Sequence, residues 1–150
     1  MAISLAGCEQ PKQMISEADY QDIVAGRPGL TDECKRELRE TGTFSPFDGR
    51  CYQTLPPRRW TGIWNAGWEW SNFCAAPARQ CGVSARNGEM ALQFADGAYP
   101  KGDDLDGTFE IAFIGRQTKH ADGYGHLGQY QHMIMVDRLL AIRRLETSTN

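Results

Sequence analysis

The stretch that decides the fold is residues 59–73, RWTGIWNAGWEWSNF, which holds all four tryptophans of the chain. They stand at positions 60, 64, 68 and 70, so each lies an even number of residues from the next. In a β-strand, successive side chains point to opposite faces and residues two apart share a face. The pattern therefore predicts a strand with one tryptophan-bearing face, bent where Gly62 and Gly67 fall.

Three further segments downstream favour strands. Apolar residues alternate with polar or small ones at positions 90, 92 and 94, and again at positions 109, 111 and 113. The apolar run at 132–145, HMIMVDRLLAIRRL, is interrupted at Asp137 and Arg138. It fits a strand, a bend and a second strand, or partly a helix. The sequence therefore predicts four or five strands.

The segment before these strands is typical of helices. Ser16 and Thr31 stand at N-cap positions, acidic residues follow each in the first turn, and a glycine stands where each helix would end. This order predicts an α+β fold, with short N-terminal helices followed by a small, strongly bent antiparallel β-sheet or OB-like barrel. We expect a helical segment over residues 9–43 and a β-rich domain over 44–147. Bulges and barrel corners are expected at glycines 62, 67, 115, 123, 125 and 128.

Composition limits the partners of the protein. A chain of 150 residues is long enough for one domain with its own core. Its 16 Lys and Arg against 19 Asp and Glu give a net charge of −3, which does not favour a nucleic-acid partner. No stretch approaches the ~18 consecutive apolar residues of a transmembrane helix. Nucleic acid is therefore not an expected partner.

Cys8 ends the sequence LAGC, residues 5–8, which resembles the lipobox of bacterial lipoproteins. The resemblance implies cleavage before Cys8, acylation of Cys8 and anchoring in a membrane of the cell envelope, facing the periplasm. Residues 1–8 would then be the end of an export signal, and since only MAIS precedes the box, its beginning would lie upstream of Met1. The body of the chain, through RWTGIW, FC, GRQT, YGHLGQY and VDR, resembles uncharacterised small bacterial envelope proteins. This second resemblance assigns no functional role to any residue of the chain.

The other cysteines are even in number and permit three pairings. They are Cys34, Cys51, Cys74 and Cys81. The local pairs, Cys34–Cys51 and Cys74–Cys81, would close short loops, and the thin apolar face of the second helix favours the first of them. Disulfides persist in oxidising compartments, which fits an exported protein. The alternative is a cytosolic protein with free thiols, while the spacings do not match a compact zinc knuckle.

Residues 123–132, GYGHLGQYQH, permit three interpretations. The first six residues match G-x-G-x-x-G, but a dinucleotide loop is followed by a helix, whereas a strand-like run follows here. The three histidines of the chain, His120, His126 and His132, could hold zinc or copper if a turn brought them together. Otherwise the glycines bend a strand or hairpin, and the histidines are exposed or structural.

The tryptophans supply the last candidate site. A row of aromatic rings more often belongs to a core, but it can also form a platform for a ligand. The platform candidates are Trp60, Trp64, Trp68 and Trp70, with Arg59 and Glu69 as the neighbouring polar groups.

No nucleophile elbow or other local catalytic signature occurs, so an enzyme is not favoured. The sequence predicts a non-enzymatic envelope lipoprotein that acts as a binding or assembly module and uses no cofactor. Its expected partners are the membrane, through the lipid on Cys8, and another envelope protein. The alternative is a periplasmic metal-binding protein or metalloenzyme that uses the three histidines.

Overall fold

The computed structural model describes residues 15–45, 48–82, 89–102 and 105–146. Within these ranges it has two α-helices, α1 (Glu17–Ala25) and α2 (Asp32–Thr41), followed by five β-strands. The strands are β1 (Arg58–Ala66), β2 (Ser71–Ala75), β3 (Met90–Phe94), β4 (Gly107–Gln117) and β5 (Met133–Arg144). Short 3₁₀ turns occupy Gly49–Cys51 and His126–Gly128. The predicted order of helices before strands is confirmed.

Both helices begin at the predicted caps. The Ser16 hydroxyl accepts a hydrogen bond from the backbone N–H three residues on at 3.1 Å, and the Thr31 hydroxyl does the same at 3.5 Å. Few of their side chains are buried, so the helices depend on attachment to the rest of the molecule. The buried residues are Tyr20 of α1 and Cys34 and Leu38 of α2. Neither helix in the described ranges has the length and apolar character needed to cross a bilayer.

The strands close into a barrel in the order β1-β2-β3-β5-β4, and β4 pairs back onto β1. All neighbours are antiparallel except β3 and β5, which are parallel. A closed ring of five strands cannot alternate direction all the way round, so at least one neighbouring pair must be parallel. The predicted barrel is therefore confirmed, but its sheet is mixed rather than antiparallel.

The core of the barrel is built from alternating strand positions. Phe109, Ile111 and Phe113 of β4 point inward, as predicted, and Leu92 of β3 packs in the same cluster between the partly buried Met90 and Phe94. The other large inward side chains are Trp60, Trp64, Phe73, Ile134 and Val136. Every strand thus contributes apolar side chains to one continuous core.

The prediction that all four tryptophans share one strand face is wrong for Trp68 and Trp70. Strand β1 ends at Ala66, which pairs with Ser71 at the start of β2. The N–H of Gly67 donates to the carbonyl of Trp70 at 2.9 Å and closes a tight hairpin loop. The even spacing of the tryptophans therefore continues past the end of the strand.

The apolar run at 132–145 forms one strand, β5, that is kinked rather than divided. Its pairing with β4 shifts between Ile114 and Gly115, so that Asp137 has no residue opposite it and forms a bulge. Arg116 holds the Asp137 carboxylate through three hydrogen bonds of 2.7–3.1 Å. The predicted interruption at Asp137 is thus a bulge, and Gly115 lies beside it as expected.

A second buried cluster attaches the helices and the β4–β5 loop, residues 118–132, to the outside of the barrel. Its members are Leu30, Cys34, Cys51, Tyr52, Ala91, Tyr124, Tyr130 and Met133. One disulfide crosses this cluster and ties α2 to the turn that follows it, while the other ties β2 to the segment after it. The two predicted pairs, Cys34–Cys51 and Cys74–Cys81, are both confirmed.

Candidate ligand-binding site

The β1–β2 loop, residues 67–70, carries a fully accessible aromatic side chain. Trp68 is 92% exposed, whereas the two tryptophans of β1 are buried. Tryptophan side chains in soluble proteins are on average highly buried. An exposed indole beside a concave surface therefore marks a candidate for ligand contact.

Trp70, two residues further on, is half-buried and held in one orientation. Its ring packs on the backbone of Gly67, where an added Cβ would lie 2.3 Å from the indole. The indole Nε1 donates to Oδ1 of Asn65 at 3.2 Å, and Nδ2 of Asn65 donates to the carbonyl of Cys81 at 3.2 Å. Cys81 is fixed to β2 by its disulfide with Cys74. The segment after β2 thus positions Trp70 through the side-chain amide of Asn65.

Two clefts meet at Trp70. The first, of about 380 Å³, opens beside Trp64 and extends to Tyr99, which is 57% exposed and packs edge-on against Phe94 at 5.2 Å. The second, of about 220 Å³, extends from Trp68 to His126 in the β4–β5 loop. Residues shared by both clefts are Gly67, Trp70, Ser71, Leu92 and Gln93. We call the two clefts together the aromatic groove.

The charged side chains of the aromatic groove are acidic. Glu69 and Asp96 line it beside the neutral amide of Gln93, and its lining in the described chain includes no Lys or Arg. Tyr130 lines the second cleft, and burial, followed by the negative charge of Glu89, raises the pKa of its phenol. Anionic ligands are therefore disfavoured, whereas hydroxyl and amide donors find acceptors here.

Ser71, the serine in the groove, is fully engaged in the fold. Its hydroxyl accepts a hydrogen bond from Nε1 of Trp64 at 3.0 Å and donates to the carbonyl of Leu92 at 2.7 Å. A serine nucleophile needs a base that can take its proton, but this proton is directed at a backbone carbonyl. Ser71 therefore connects three strands of the barrel rather than supplying a nucleophile.

The structure separates the six predicted platform residues. Those in the aromatic groove are Trp64, Trp68, Glu69 and Trp70. Trp60 lies in the core, with its Nε1 donating to the carbonyl of Gly115 at 3.2 Å. Arg59 lies on the outer face of β1, beside a separate cleft of about 410 Å³. Sequence patterns missed Tyr99, because it follows β3 in a connection without periodicity.

The three histidines have separate surroundings. His126 lines the second cleft, and Nε2 of His120 lies 3.2 Å from Oε1 of Gln53. Nδ1 of His132 lies 3.3 Å from the hydroxyl of Thr118 and 3.2 Å from its carbonyl oxygen. Over the described ranges, the one set of three possible ligand atoms within 4.8 Å of one another comes from Cys74, Cys81 and Glu89. Its two sulfurs are joined in a disulfide, so neither is a thiolate.

The glycine-rich stretch at 123–132 forms a narrow hairpin-like loop, as one of the three interpretations predicted. Tyr124 and Tyr130 exchange backbone hydrogen bonds of 2.8 and 3.1 Å. Gly125 has a φ of 69°, and a Cβ there would lie 2.6 Å from the ring of Tyr130. Strand β5 rather than a helix follows, so the context of a dinucleotide-binding loop does not form.

Cys8 and the LAGC sequence lie outside the residues that the structure describes. No protein-family model matches the chain, and comparisons with curated proteins and with solved structures likewise found no match. The residues of the aromatic groove and the sequence around Cys8 are therefore the features of this chain that bear on its function.

Proposed function

We propose that this protein is a non-enzymatic binding module of the bacterial cell envelope, anchored through a lipid on Cys8, with the aromatic groove as its ligand-binding site. One observation carries the proposal: the accessible indole of Trp68 and the exposed ring of Tyr99 line two adjoining clefts, and the fixed indole of Trp70 lines both. Ligand sites are usually concave, rich in aromatic side chains and supplied with a few polar groups that orient the ligand.

We infer further that the barrel is OB-like, and its closed ring of five strands supports this. In OB-folds the ligand lies on the face of the second and third strands and contacts the loops after the first and fourth strands. The aromatic groove is built from the corresponding elements here, with Trp68 in the β1–β2 loop, Gln93 on β3 and His126 in the β4–β5 loop. This analogy of fold supports the location of the site and leaves the ligand to be argued from its residues.

The location in the cell envelope is supported by the two disulfides and by LAGC. Structural disulfides persist in the bacterial periplasm and are rare in the cytosol. Intact-mass spectrometry of the protein purified from bacterial membranes tests the location, with acyl mass on Cys8 and two disulfides as the expected result. A protein that retains Met1 and has five alkylatable thiols would contradict it.

The groove is tested by tryptophan fluorescence with a broad panel of soluble oligosaccharides, oligonucleotides and peptides. We expect at least one class to change the emission of the wild-type protein and to lose affinity in Trp68→Ala. Leu140→Ala is the matched control, because Leu140 is 38% exposed and lies on β5 away from the groove. A panel without any binder that depends on Trp68 would contradict the proposed function.

A further inference from the structure

We propose that the aromatic groove binds an uncharged oligosaccharide chain of at least two sugar units, an inference that rests on the binding function proposed above. Trp68, Trp70 and Tyr99 would stack on the sugar rings, while Glu69, Asp96 and Gln93 would accept hydrogen bonds from sugar hydroxyls. The proposal follows from the shape, the charge and the rigidity of the groove.

The aromatic side chains fit the faces of sugar rings. A pyranose presents a flat array of C–H groups on one face and hydroxyl groups around its edge, so an indole or phenol ring covers the first and leaves the second accessible. Trp68 and Tyr99 are 92% and 57% exposed and lie in different clefts, with Trp70 lining both. Three rings along two adjoining clefts suit a chain rather than a single sugar.

The polar side chains favour hydroxyl donors and disfavour anions. Ionised Glu69 and Asp96 are acceptors only, and an O–H donor to a carboxylate makes a short, charge-assisted hydrogen bond. Phosphates and carboxylates would instead meet two negative charges, and no Lys or Arg lines the two clefts in the described chain. Arg50 and Arg116 line a neighbouring cleft beside Asp96, but both are paired with acidic side chains. Nucleic acids bind largely through phosphate contacts to basic side chains, so the groove is poorly suited to them.

The closed barrel also argues against an extended peptide as the ligand. Peptides that bind to sheets usually add a strand to an unpaired edge. Each of the five strands already has two neighbours in the barrel. We therefore expect the ligand to be held mainly by side chains, as sugars are by stacking and hydroxyl contacts.

The groove is held in position before the ligand arrives. Asn65 fixes the indole of Trp70, and the carbonyl of Cys81 fixes Asn65. Ser71 accepts from Trp64 and donates to Leu92, which holds the floor where the two clefts meet. The indoles of Trp64 and Trp70 are therefore already oriented, which reduces the conformational entropy lost on binding.

The experiment titrates the protein with cello-, malto- and N-acetylchito-oligosaccharides, following tryptophan emission and confirming each binder by calorimetry. The anionic arms are oligogalacturonate and oligothymidylate, and a neutral peptide is the third class. We expect an uncharged oligosaccharide to bind, and Trp68→Ala to weaken it roughly 5-fold to 160-fold, if a sugar stacked on an indole is worth about as much as a stacked base. Leu140→Ala should bind like the wild type.

Charge supplies an independent readout. Oligogalacturonate should bind at least tenfold more weakly than the uncharged chain, and Glu69→Gln should narrow that difference because it removes one of the two negative charges. Binding confined to oligothymidylate or the peptide would overturn the oligosaccharide proposal but leave a functional groove. If none of these probes binds in a manner that depends on Trp68, both proposals fail.

Discussion

Removal of the disulfide between Cys34 and Cys51 should destabilise the protein by about 4 kcal/mol. The bond joins residues 17 apart, and closing a loop of that length in the unfolded chain is worth roughly 3 kcal/mol at 25 °C. Both cysteines are fully buried in the second cluster. Replacing both by alanine removes two buried sulfur atoms, which adds about 1 kcal/mol.

The loss should appear first in the helices. They bury only three side chains between them, and one of these is Cys34 itself. Isolated helices of this length are marginal in water, so α1 and α2 should unfold at a lower urea concentration than the barrel. Far-UV circular dichroism reports the helices, whereas near-UV circular dichroism reports the packed tryptophans of the barrel.

Urea unfolding of Cys34→Ala/Cys51→Ala, followed by far-UV and near-UV circular dichroism, measures the loss of stability. In a thermal melt, the melting temperature should fall by about 8–16 °C. The matched control is Cys74→Ala/Cys81→Ala, whose bond spans 7 residues and should contribute only about 2.4 kcal/mol through loop closure. A first variant that keeps the urea midpoint of the wild type would show that the Cys34–Cys51 disulfide does not stabilise the fold. A control variant that lost more stability than the first variant would contradict the difference expected from loop length. Helix and barrel signals that shift together would contradict early unfolding of the helices.

Further predictions concern Asn65, the glycines at 125 and 128, the buried tyrosines and the histidines. Asn65→Ala removes the hydrogen-bond acceptor of the Trp70 indole and should lower the free energy of unfolding by about 1 kcal/mol. Its near-UV circular dichroism spectrum should differ from that of the wild type, while the far-UV spectrum should not. Identical near-UV spectra would contradict the role of Asn65 in positioning Trp70. Gly125→Val should cost about 2 kcal/mol or more, because its Cβ would lie 2.6 Å from the ring of Tyr130 at a φ of 69°. Gly128→Ala should cost only about 1 kcal/mol, because its Cβ would meet nothing nearer than 3.6 Å; equal losses in urea melts would count against the steric explanation. Burial raises the pKa of the three tyrosines in the second cluster above the ordinary value of 10.0, so the unfolded chain releases their protons first. The free energy of unfolding should therefore be retained below about pH 10 and fall as the pH rises further. If Tyr130→Phe left the slope of unfolding free energy against pH unchanged, Tyr130 would not contribute to this fall. Zinc or copper added to dialysed protein should leave the melting temperature unchanged, since the histidines have separate surroundings; a rise would favour the metal-binding alternative.

The periodic part of the fold is predictable from the sequence because strand alternation is a local property. Phe109, Ile111 and Phe113 point inward wherever β4 is placed, provided that one of its faces is buried. The helix caps at Ser16 and Thr31 are equally local, since each contacts a backbone N–H only three residues away. The closure of the barrel is different, since the parallel pair of β3 and β5 joins segments about 40 residues apart.

The candidate site was only partly predictable because it lies where periodicity ends. Trp64 and Trp68 both stand at even-numbered positions, yet Trp64 is buried in β1 and Trp68 projects from a hairpin loop. The difference depends on the hydrogen bond that closes the loop at Gly67, which side-chain alternation does not reveal. Tyr99 reaches the groove from a connection without any repeating pattern. Loops positioned by a rigid scaffold commonly carry binding residues, so local patterns are least informative at such a site.

The contacts of Trp70 connect the proposed location of the protein to its proposed function. The carbonyl that orients Asn65 belongs to Cys81, which is joined to Cys74 of β2 by a bond that forms under oxidising conditions. Asn72 of β2 also holds this segment, since its Nδ2 donates to the carbonyl of Gly82 at 2.6 Å. In a reducing cytosol this segment would keep the Asn72 contact but lose its covalent attachment, so the carbonyl that orients Asn65 would be held less firmly. If the protein is exported as proposed, formation of the Cys74–Cys81 disulfide would also stabilise the position of Trp70 in the groove. The core cluster of the barrel contains neither cysteine pair, so the barrel itself should still form in the reduced protein, whereas α2 would lose its Cys34–Cys51 attachment.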